Sequence, residues 1–166
     1  MANENGNGGA AAAAQDQAAQ TGPSLDVLAQ YIKDLSFENP KAPGSMTDQR
    51  PKQPSINFNV QVNAQPVGEI GVEVELKLDA RAVEGDTVIF NLELVYAGVF
   101  RIRNVPQDQI HPFVMIECPR ILFPFARQIV AETISSGGFP PVMLGMIDFA
   151  QLYRQRAAAA QPTANA

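Results

Sequence analysis

Apolar and polar residues alternate with a period of two through the middle of the chain. The alternation is clearest in Ile56–Asn63, Ile70–Ala80 and Thr87–Arg103, where polar residues such as Glu73 and Glu75 separate the apolar ones. Successive side chains of a strand point to opposite faces, so each segment predicts a strand with one buried and one wet face. Three such strands predict an antiparallel sheet that is covered on one side only.

A fourth strand is predicted before these three. The segment Leu25–Glu38 could form a short helix, but its second half alternates, with Leu35 and Phe37 on one side and Asp34 on the other. The alternation favours a strand from about Ala29 onward. The sheet is therefore expected to have four strands.

The stretch Cys118–Tyr153 carries more apolar residues than one helix face needs. At about 100° per residue, they fall on two separate stripes of an ideal helix. The first stripe consists of Leu122, Phe125, Ala126 and Ile129, and the second of Phe123, Val130 and Ile134. We expect the first stripe to cover the sheet, whereas the second either lies in the same core or contacts another chain.

Prolines and glycines set the predicted bounds of the helices. A short helix is expected over Gln107–Glu117, and Pro124 either begins the next helix or kinks it. That helix would end at Ser136, because the glycines that follow favour a helix C-terminus. A last helix is predicted over Asp148–Arg156. The fold class is therefore α+β, with C-terminal helices covering one face of the sheet.

The two ends of the chain differ from its middle. Met1–Pro23 and Ala157–Ala166 contain no aliphatic residue larger than alanine, so they cannot offset the entropy of ordering and are expected to be disordered. One domain over residues 24–156 remains. Inside it, Asn39–Pro54 carries four prolines and is predicted to be a long loop. This loop is either a lid or groove wall, or a plain surface connection.

Composition argues against several classes of function. The net charge is −5 and no run of Lys or Arg occurs, which disfavours binding to nucleic acid or to anionic membranes. No apolar run approaches membrane-spanning length, and no signal-peptide pattern precedes the domain. A single cysteine fits a reducing cytoplasm.

No constellation suited to bond-breaking chemistry is found in the sequence. His111 and Cys118 are the only histidine and cysteine of the chain, and two such ligands are too few for a metal site. A cysteine before a proline in an apolar stretch typically behaves as a small, buried hydrophobic residue. Glu73 and Glu75 share one strand face, which is typical of a solvated surface. We therefore expect no catalytic residue, no metal and no cofactor.

Three segments carry a resemblance to a known family. They are KDLSFENP at Lys33–Pro40, CPRILFPFAR at Cys118–Arg127 and GFPP at Gly138–Pro141. Together they closely resemble the bacterial protein-export chaperone SecB over about Gln30–Tyr153.

The resemblance implies a function and an assembly. SecB-like proteins are cytoplasmic α+β holdases that bind non-native precursor proteins without ATP and deliver them to the translocase motor SecA. They form homotetramers, as dimers of dimers packed through long helices. This implies that the second stripe, Phe123, Val130 and Ile134, forms the oligomer interface.

The resemblance also implies where the partner binds. The family's SecA contact uses carboxylates on the wet sheet face, and Asp34, Glu38 and Glu93 stand at the matching positions. An acidic patch of this kind would orient the basic zinc-binding tail of SecA. Asn91 departs from the pattern, because the resemblance implies an apolar residue there.

Clients are expected in apolar grooves bordered by the Asn39–Pro54 loop and the helices. The lining candidates are Met46, Leu122, Phe125 and Tyr153. An alternative function is a general or toxin–antitoxin-linked SecB-like chaperone that does not act through SecA. An acidic surface at the three carboxylates favours the export function.

Overall fold

A four-stranded antiparallel sheet in the order β1-β4-β3-β2 forms one layer of the protein, and helices form the other. The structure is a computed structural model that describes residues 22–47, 54–69 and 71–160. The elements are β1 Ser24–Glu38, α1 Gly44–Thr47, β2 Ser55–Val67, β3 Gly71–Glu84, β4 Thr87–Arg103, a 3₁₀ turn Gln107–Gln109, α2 Ile110–Ser136 and α3 Phe149–Ala160. The predicted α+β class and four-stranded sheet are confirmed.

The strands are longer than the sequence predicts, except β4, whose bounds were predicted correctly. Strand β1 begins at Ser24 instead of Ala29, and its pairing with β4 shifts between Val27 and Ala29 and again between Ile32 and Asp34. At each shift, β1 has one extra residue without a partner on β4. Beyond it, the residues that face the core change between odd and even numbers. The alternation is therefore lost in the first half of β1, although the strand continues.

The core lies between the two central strands and α2. Six side chains of β3 and β4 on the face under α2 are at most 2% exposed: Val74, Leu76, Leu78, Leu92, Leu94 and Phe100. Burying one large aliphatic or aromatic side chain of this kind contributes about 1.5–3 kcal/mol. These residues therefore hold α2 over the sheet centre and leave the edge strand β1 less covered.

Helix α2 is continuous over 27 residues, which corrects the predicted bounds. Pro119 and Pro124 both lie inside it, although each lacks an N–H for the helical ladder. The helix persists because Cys118 and Leu122 are completely buried around the first proline, as is Ala126 after the second. Tertiary packing outweighs the local cost of the two prolines.

The second stripe of α2 faces the core of its own chain, so the predicted interface is wrong. Phe123 is 2% exposed and Val130 and Ile134 are completely buried. The ring of Phe123 meets that of Phe149 edge to face, with centroids 5.8 Å apart. Because α2 lies between the sheet and the C-terminal segment, it needs an apolar residue on both sides. These three side chains have no surface left for a second subunit.

Helix α3 extends beyond its predicted end at Arg156. It runs from Phe149 to Ala160, four residues into the segment 157–166 that was predicted to be disordered. Asp148 precedes the helix, and its Oδ1 accepts a hydrogen bond of 3.0 Å from the Gln151 backbone N–H, which satisfies one free donor of the first turn.

Parts of the predictions lie outside the described residues. These are the terminal segments 1–21 and 161–166, residues 48–53 of the long loop, and residue 70 at the predicted start of the third strand. In the described ranges, none of the helices has both the length and the hydropathy needed to span a membrane.

Candidate functional site: an apolar groove and an acidic sheet face

An open groove of about 1010 Å³ lies at one end of the sheet. Four parts of the chain form its walls: the described part of the loop after β1, the start of β2, the β3–β4 turn with the start of β4, and the segment that follows α2. The lining residues include Lys41, Ser45, Met46, Ile56, Ile89, Phe90, Phe139, Pro140, Pro141 and Val142. The described part of the Asn39–Pro54 loop therefore acts as a groove wall, one of the two alternatives for this loop.

Three aromatic rings support the floor of the groove. The ring centroid of Phe90 lies 4.9 Å from that of Phe139 and 5.7 Å from that of Phe37. Phe37 lies against the C-terminus of α2, where a side chain on Gly137 would overlap its ring. The helix can end against Phe37 because residue 137 has no β-carbon.

Met46 forms the outer rim of the groove. Its side chain is 42% exposed, and its sulfur lies 2.5 Å from the position that a β-carbon on Gly138 would take. Gly138 adopts a φ of +89°, a conformation that favours glycine. A flexible, polarisable methionine at such a rim can adapt to side chains of different shape.

The four residues predicted to line the groove lie in different parts of the structure. Met46 lines the groove, but Leu122 is completely buried, because it packs towards Gly98 of β4. Phe125 is 49% exposed and stacks on Tyr96, with centroids 6.4 Å apart, outside the groove lining. Leu122 is therefore a core residue, and Phe125 belongs to another surface.

Tyr153 also lies away from the main groove. It lines a second cavity of about 230 Å³ between α2, α3 and β2, and its hydroxyl lies 3.2 Å from Nδ1 of His111. Four further residues line the main groove and are not predicted from the sequence: Ile89, Phe90, Phe139 and Val142. The available signal was the extended Gly138–Pro141 segment, which places Phe139 beside the sheet.

The sheet register brings the three predicted carboxylates onto one face. Ser36 pairs with Glu93, Glu38 with Asn91, and Asp34 with Val95; paired residues share a face of the sheet. This face is opposite α2. Asp34 and Glu38 are four residues apart, about 13 Å along the strand. Glu93 therefore lies between them on the neighbouring strand.

A lysine lies within the acidic face. Nζ of Lys77 is 3.6 Å from Oδ1 of Asp79 and 3.7 Å from Oε2 of Glu93. The charge of Glu93 is therefore partly balanced within the protein. Asp34 and Glu38 form no ion pair with any residue in the described part of the chain. These two carboxylates, with Glu93, are available to a cationic partner.

Glu73 is a buried carboxylate on the same face, which corrects the expectation of a solvated position. The residue is 6% exposed and accepts hydrogen bonds from Tyr31 Oη, Gln65 Nε2 and Lys33 Nζ, the last at 3.0 Å. These bonds lower the pKa of Glu73 to about 2. The network joins side chains of β1, β2 and β3 across the sheet.

Comparison with known proteins identifies the family. A family model described as preprotein translocase subunit SecB matches residues 18–160. The protein-export protein SecB of Rhodopseudomonas palustris strain TIE-1 is 56% identical over 84% of this chain and 88% of its own length. That of Afipia carboxidovorans is 59% identical over 82% and 84%. That of R. palustris strain BisB18 is 53% identical over 97% and 96%.

The chain belongs to the SecB family. The family consists of protein-export chaperones, which bind precursor proteins, hand them to SecA and have no enzymatic activity. The predicted family and export function are thus confirmed, as is the cytoplasmic location that SecB membership implies.

A solved SecB-like structure shows the same fold. The SecB-like chaperone of Mycobacterium tuberculosis, in complex with a peptide from the HigA1 antitoxin, superposes with a TM-score of 0.55 over 74% of this chain and 90% of that one. Its sequence is 13% identical. At that identity the likeness concerns the fold alone.

The chain also has an apolar strip that its own helices leave uncovered. Val27, Ile32 and Leu35 of β1 are 42%, 48% and 40% exposed. They pair with Phe100, Tyr96 and Leu94, whose side chains are buried on the face under α2, and so they point to that same face. Since α2 lies over the central strands, the strip remains open beside the exposed Phe125.

Proposed function

We propose that the groove at Met46, Phe90 and Phe139 binds apolar segments of unfolded precursor proteins. The observation that carries this proposal is the open volume of about 1010 Å³ with an apolar floor. An exposed concave apolar surface of this size is typical of a binding site. A native precursor has already buried the side chains that such a groove would take.

Preference for unfolded chains gives the groove its effect on folding. A protein that binds the unfolded state and not the native one shifts the folding equilibrium by mass action, without ATP. Several grooves in one assembly would hold several segments of the same chain, and their linkage raises the overall affinity well above that of one segment. Met46 lets each groove accept different side chains.

We further propose that SecA binds the acidic face through Asp34, Glu38 and Glu93. The three carboxylates are on one face and close in register, which supports a single contact with a basic segment. Rim charges of this kind contribute mainly to orientation and to the rate of encounter. Since Lys77 already contacts Glu93, the partner's cation competes with an internal one at that position.

Titration of a peptide from the zinc-binding tail of SecA tests this contact. Wild type is compared with Glu93→Lys and with Glu132→Lys, a control on the exposed face of α2. Glu93→Lys places two lysines together and is expected to abolish most of the binding, whereas Glu132→Lys leaves it intact. Unchanged binding of Glu93→Lys would remove the proposed SecA contact and favour a chaperone that works without SecA.

We also propose that the chain assembles as a homotetramer, a dimer of dimers. Because the second stripe of α2 is buried, the contact surfaces must lie elsewhere. The apolar strip of β1 and the neighbouring Phe125 offer exposed apolar area next to an unpaired strand edge, and both features favour association.

Mass measurement tests the assembly. Four chains of 17.9 kDa give a particle of about 72 kDa. Light scattering is expected to show this mass for wild type and for Gln128→Ser, a conservative polar change on exposed α2 surface. A smaller mass is expected for Ile32→Asp, which buries a charge in the contact. A wild-type mass near 18 kDa would refute the assembly.

A further inference from the structure

The sheet has two edge strands, β1 and β2, and their edges differ chemically. An edge strand presents a row of backbone N–H and C=O groups that another chain can use for pairing. Among the described residues, no side chain forms a hydrogen bond with the backbone of β1. On β2, a side chain from α3 occupies two backbone carbonyls.

Pro66 shows which groups of β2 point outward. Residues 55–67 of β2 pair with β3 in continuous register, with Pro66 opposite Val72. A proline has no N–H, so inside a strand it is tolerated where that position faces away from the sheet. Val60 and Val62 are an even number of residues from Pro66, and their C=O groups therefore also point away from β3.

Arg156 binds both of these outward carbonyls. Its Nη2 donates a hydrogen bond of 2.7 Å to the carbonyl oxygen of Val60, and its Nη1 donates one of 3.4 Å to that of Val62. A guanidinium presents several donors in one rigid plane, which suits two carbonyls that are neighbours on one edge. Helix α3 fixes the position of the arginine through the buried Phe149.

We propose that Arg156 closes the β2 edge to pairing with the β2 strand of a second copy of this protein. A strand added there would need the carbonyls of Val60 and Val62 as acceptors, and Arg156 already occupies them. Pro66 removes a donor from the same row. Backbone pairing between copies is thereby confined to the β1 edge. If both edges were open, each copy could pair with one neighbour through β1 and with another through β2, so the assembly would not close and larger species would grow with concentration.

Sedimentation velocity of the full chain over a range of concentrations tests the proposal. Arg156→Met keeps the apolar stem and removes the donors; its control is Arg154→Met, which removes an exposed cation from the same helix. Arg156→Met is expected to form species larger than wild type, whose share rises with concentration. Arg154→Met sediments like wild type. In the larger species, backbone amide hydrogens of residues 55–67 should exchange with solvent roughly two- to tenfold more slowly than in wild type. This factor corresponds to the typical net free energy of one hydrogen bond.

A second variant separates opening of the edge from damage to α3. Ala64 is exposed and has the same outward parity as Pro66, so Ala64→Pro removes an outward donor without breaking a bond to β3. Added to Arg156→Met, it should restore wild-type sedimentation. If Arg156→Met does not fold, Arg156→Lys, which cannot reach both carbonyls with one planar group, replaces it. Sedimentation unchanged in the folded Arg156 variant, or larger species that persist after Ala64→Pro, would overturn the proposal.

Discussion

The ring of Phe37 occupies the space that a β-carbon on Gly137 would need, and its Cζ and Cε1 atoms are the ones that would be overlapped. This contact joins the end of β1 to the end of α2. Phe37 also packs on Phe90, with centroids 5.7 Å apart, and Phe90 lines the groove. The glycine therefore fixes the distance between the helix end and the groove floor.

Gly137→Ala is expected to destabilise the protein and weaken client binding. The new methyl group must push Phe37 aside, and overpacking of this kind typically costs about 1–3 kcal/mol. The urea midpoint at fixed protein concentration measures the first effect, and titration with an unfolded polypeptide measures the second. Gly145→Ala is the matched control, because nothing lies within 4 Å of its β-carbon position and the residue does not line the groove. Equal midpoints for the two variants would contradict the role of the Phe37 contact.

Because of Glu73, the stability of the folded protein is expected to fall at acidic pH. Its pKa is lowered from 4.5 to about 2 by hydrogen bonds from Tyr31, Gln65 and Lys33. A depressed carboxyl pKa contributes stability that is complete above the ordinary value and is lost as the pH falls towards the folded value. Urea midpoints of wild type should therefore decline between about pH 4.5 and pH 2.

Glu73→Gln should show a smaller decline over the same pH range. Glu69→Gln is the control, since Glu69 is an exposed residue near the β2–β3 turn. It accepts no hydrogen bond from the rest of the described chain, and its pH profile should follow wild type. Parallel profiles for wild type and Glu73→Gln would show that the network does not act on stability.

Cys118 is expected to be chemically inert. The residue is completely buried, and burial raises the pKa of its thiol to about 12, so almost no thiolate exists near neutral pH. Iodoacetamide should not label the native protein. Cys118→Ala should cost about 1 kcal/mol in stability through lost packing and leave client and SecA-tail binding unchanged. Rapid labelling of the native chain, or loss of either binding activity, would contradict this.

Asn91→Leu is expected to strengthen binding of the SecA tail. Asn91 lies opposite Glu38 on the acidic face, where the family resemblance implies an apolar residue. Partial burial of one leucine contributes about 1 kcal/mol, roughly a fivefold gain in affinity. Asn57→Leu, an exposed position on β2, is the control. A gain shared by both variants would indicate nonspecific stickiness of the sheet.

The sequence predicts the sheet better than the helices because period-two alternation reports burial directly. The bounds of β4 follow from that pattern, while two bulges hide the first half of β1. Pro124 suggests a helix boundary, but whether a proline is tolerated depends on packing around it, here by Leu122 and Ala126. Local sequence does not contain that information.

The candidate site was predicted in part, for a similar reason. The three carboxylates share a face because strand parity determines it. The roles of Phe123 and Leu122 depend on what covers each side of α2, and a helical wheel cannot separate a second core contact from a subunit contact. Met46 lines the groove because it lies in the loop that forms the groove wall, and its contact with clients stays a prediction.

The groove is tested most directly by comparing two exposed methionines. Met46 lines the groove, while Met143, 62% exposed, does not. Each is changed to glutamate, and binding of a fluorescent, reduced and alkylated polypeptide that cannot refold is titrated. A charge at the groove rim must be desolvated by an apolar client, so Met46→Glu is predicted to bind roughly tenfold more weakly, with Met143→Glu close to wild type. Equal affinity of Met46→Glu and wild type would contradict client binding in this groove.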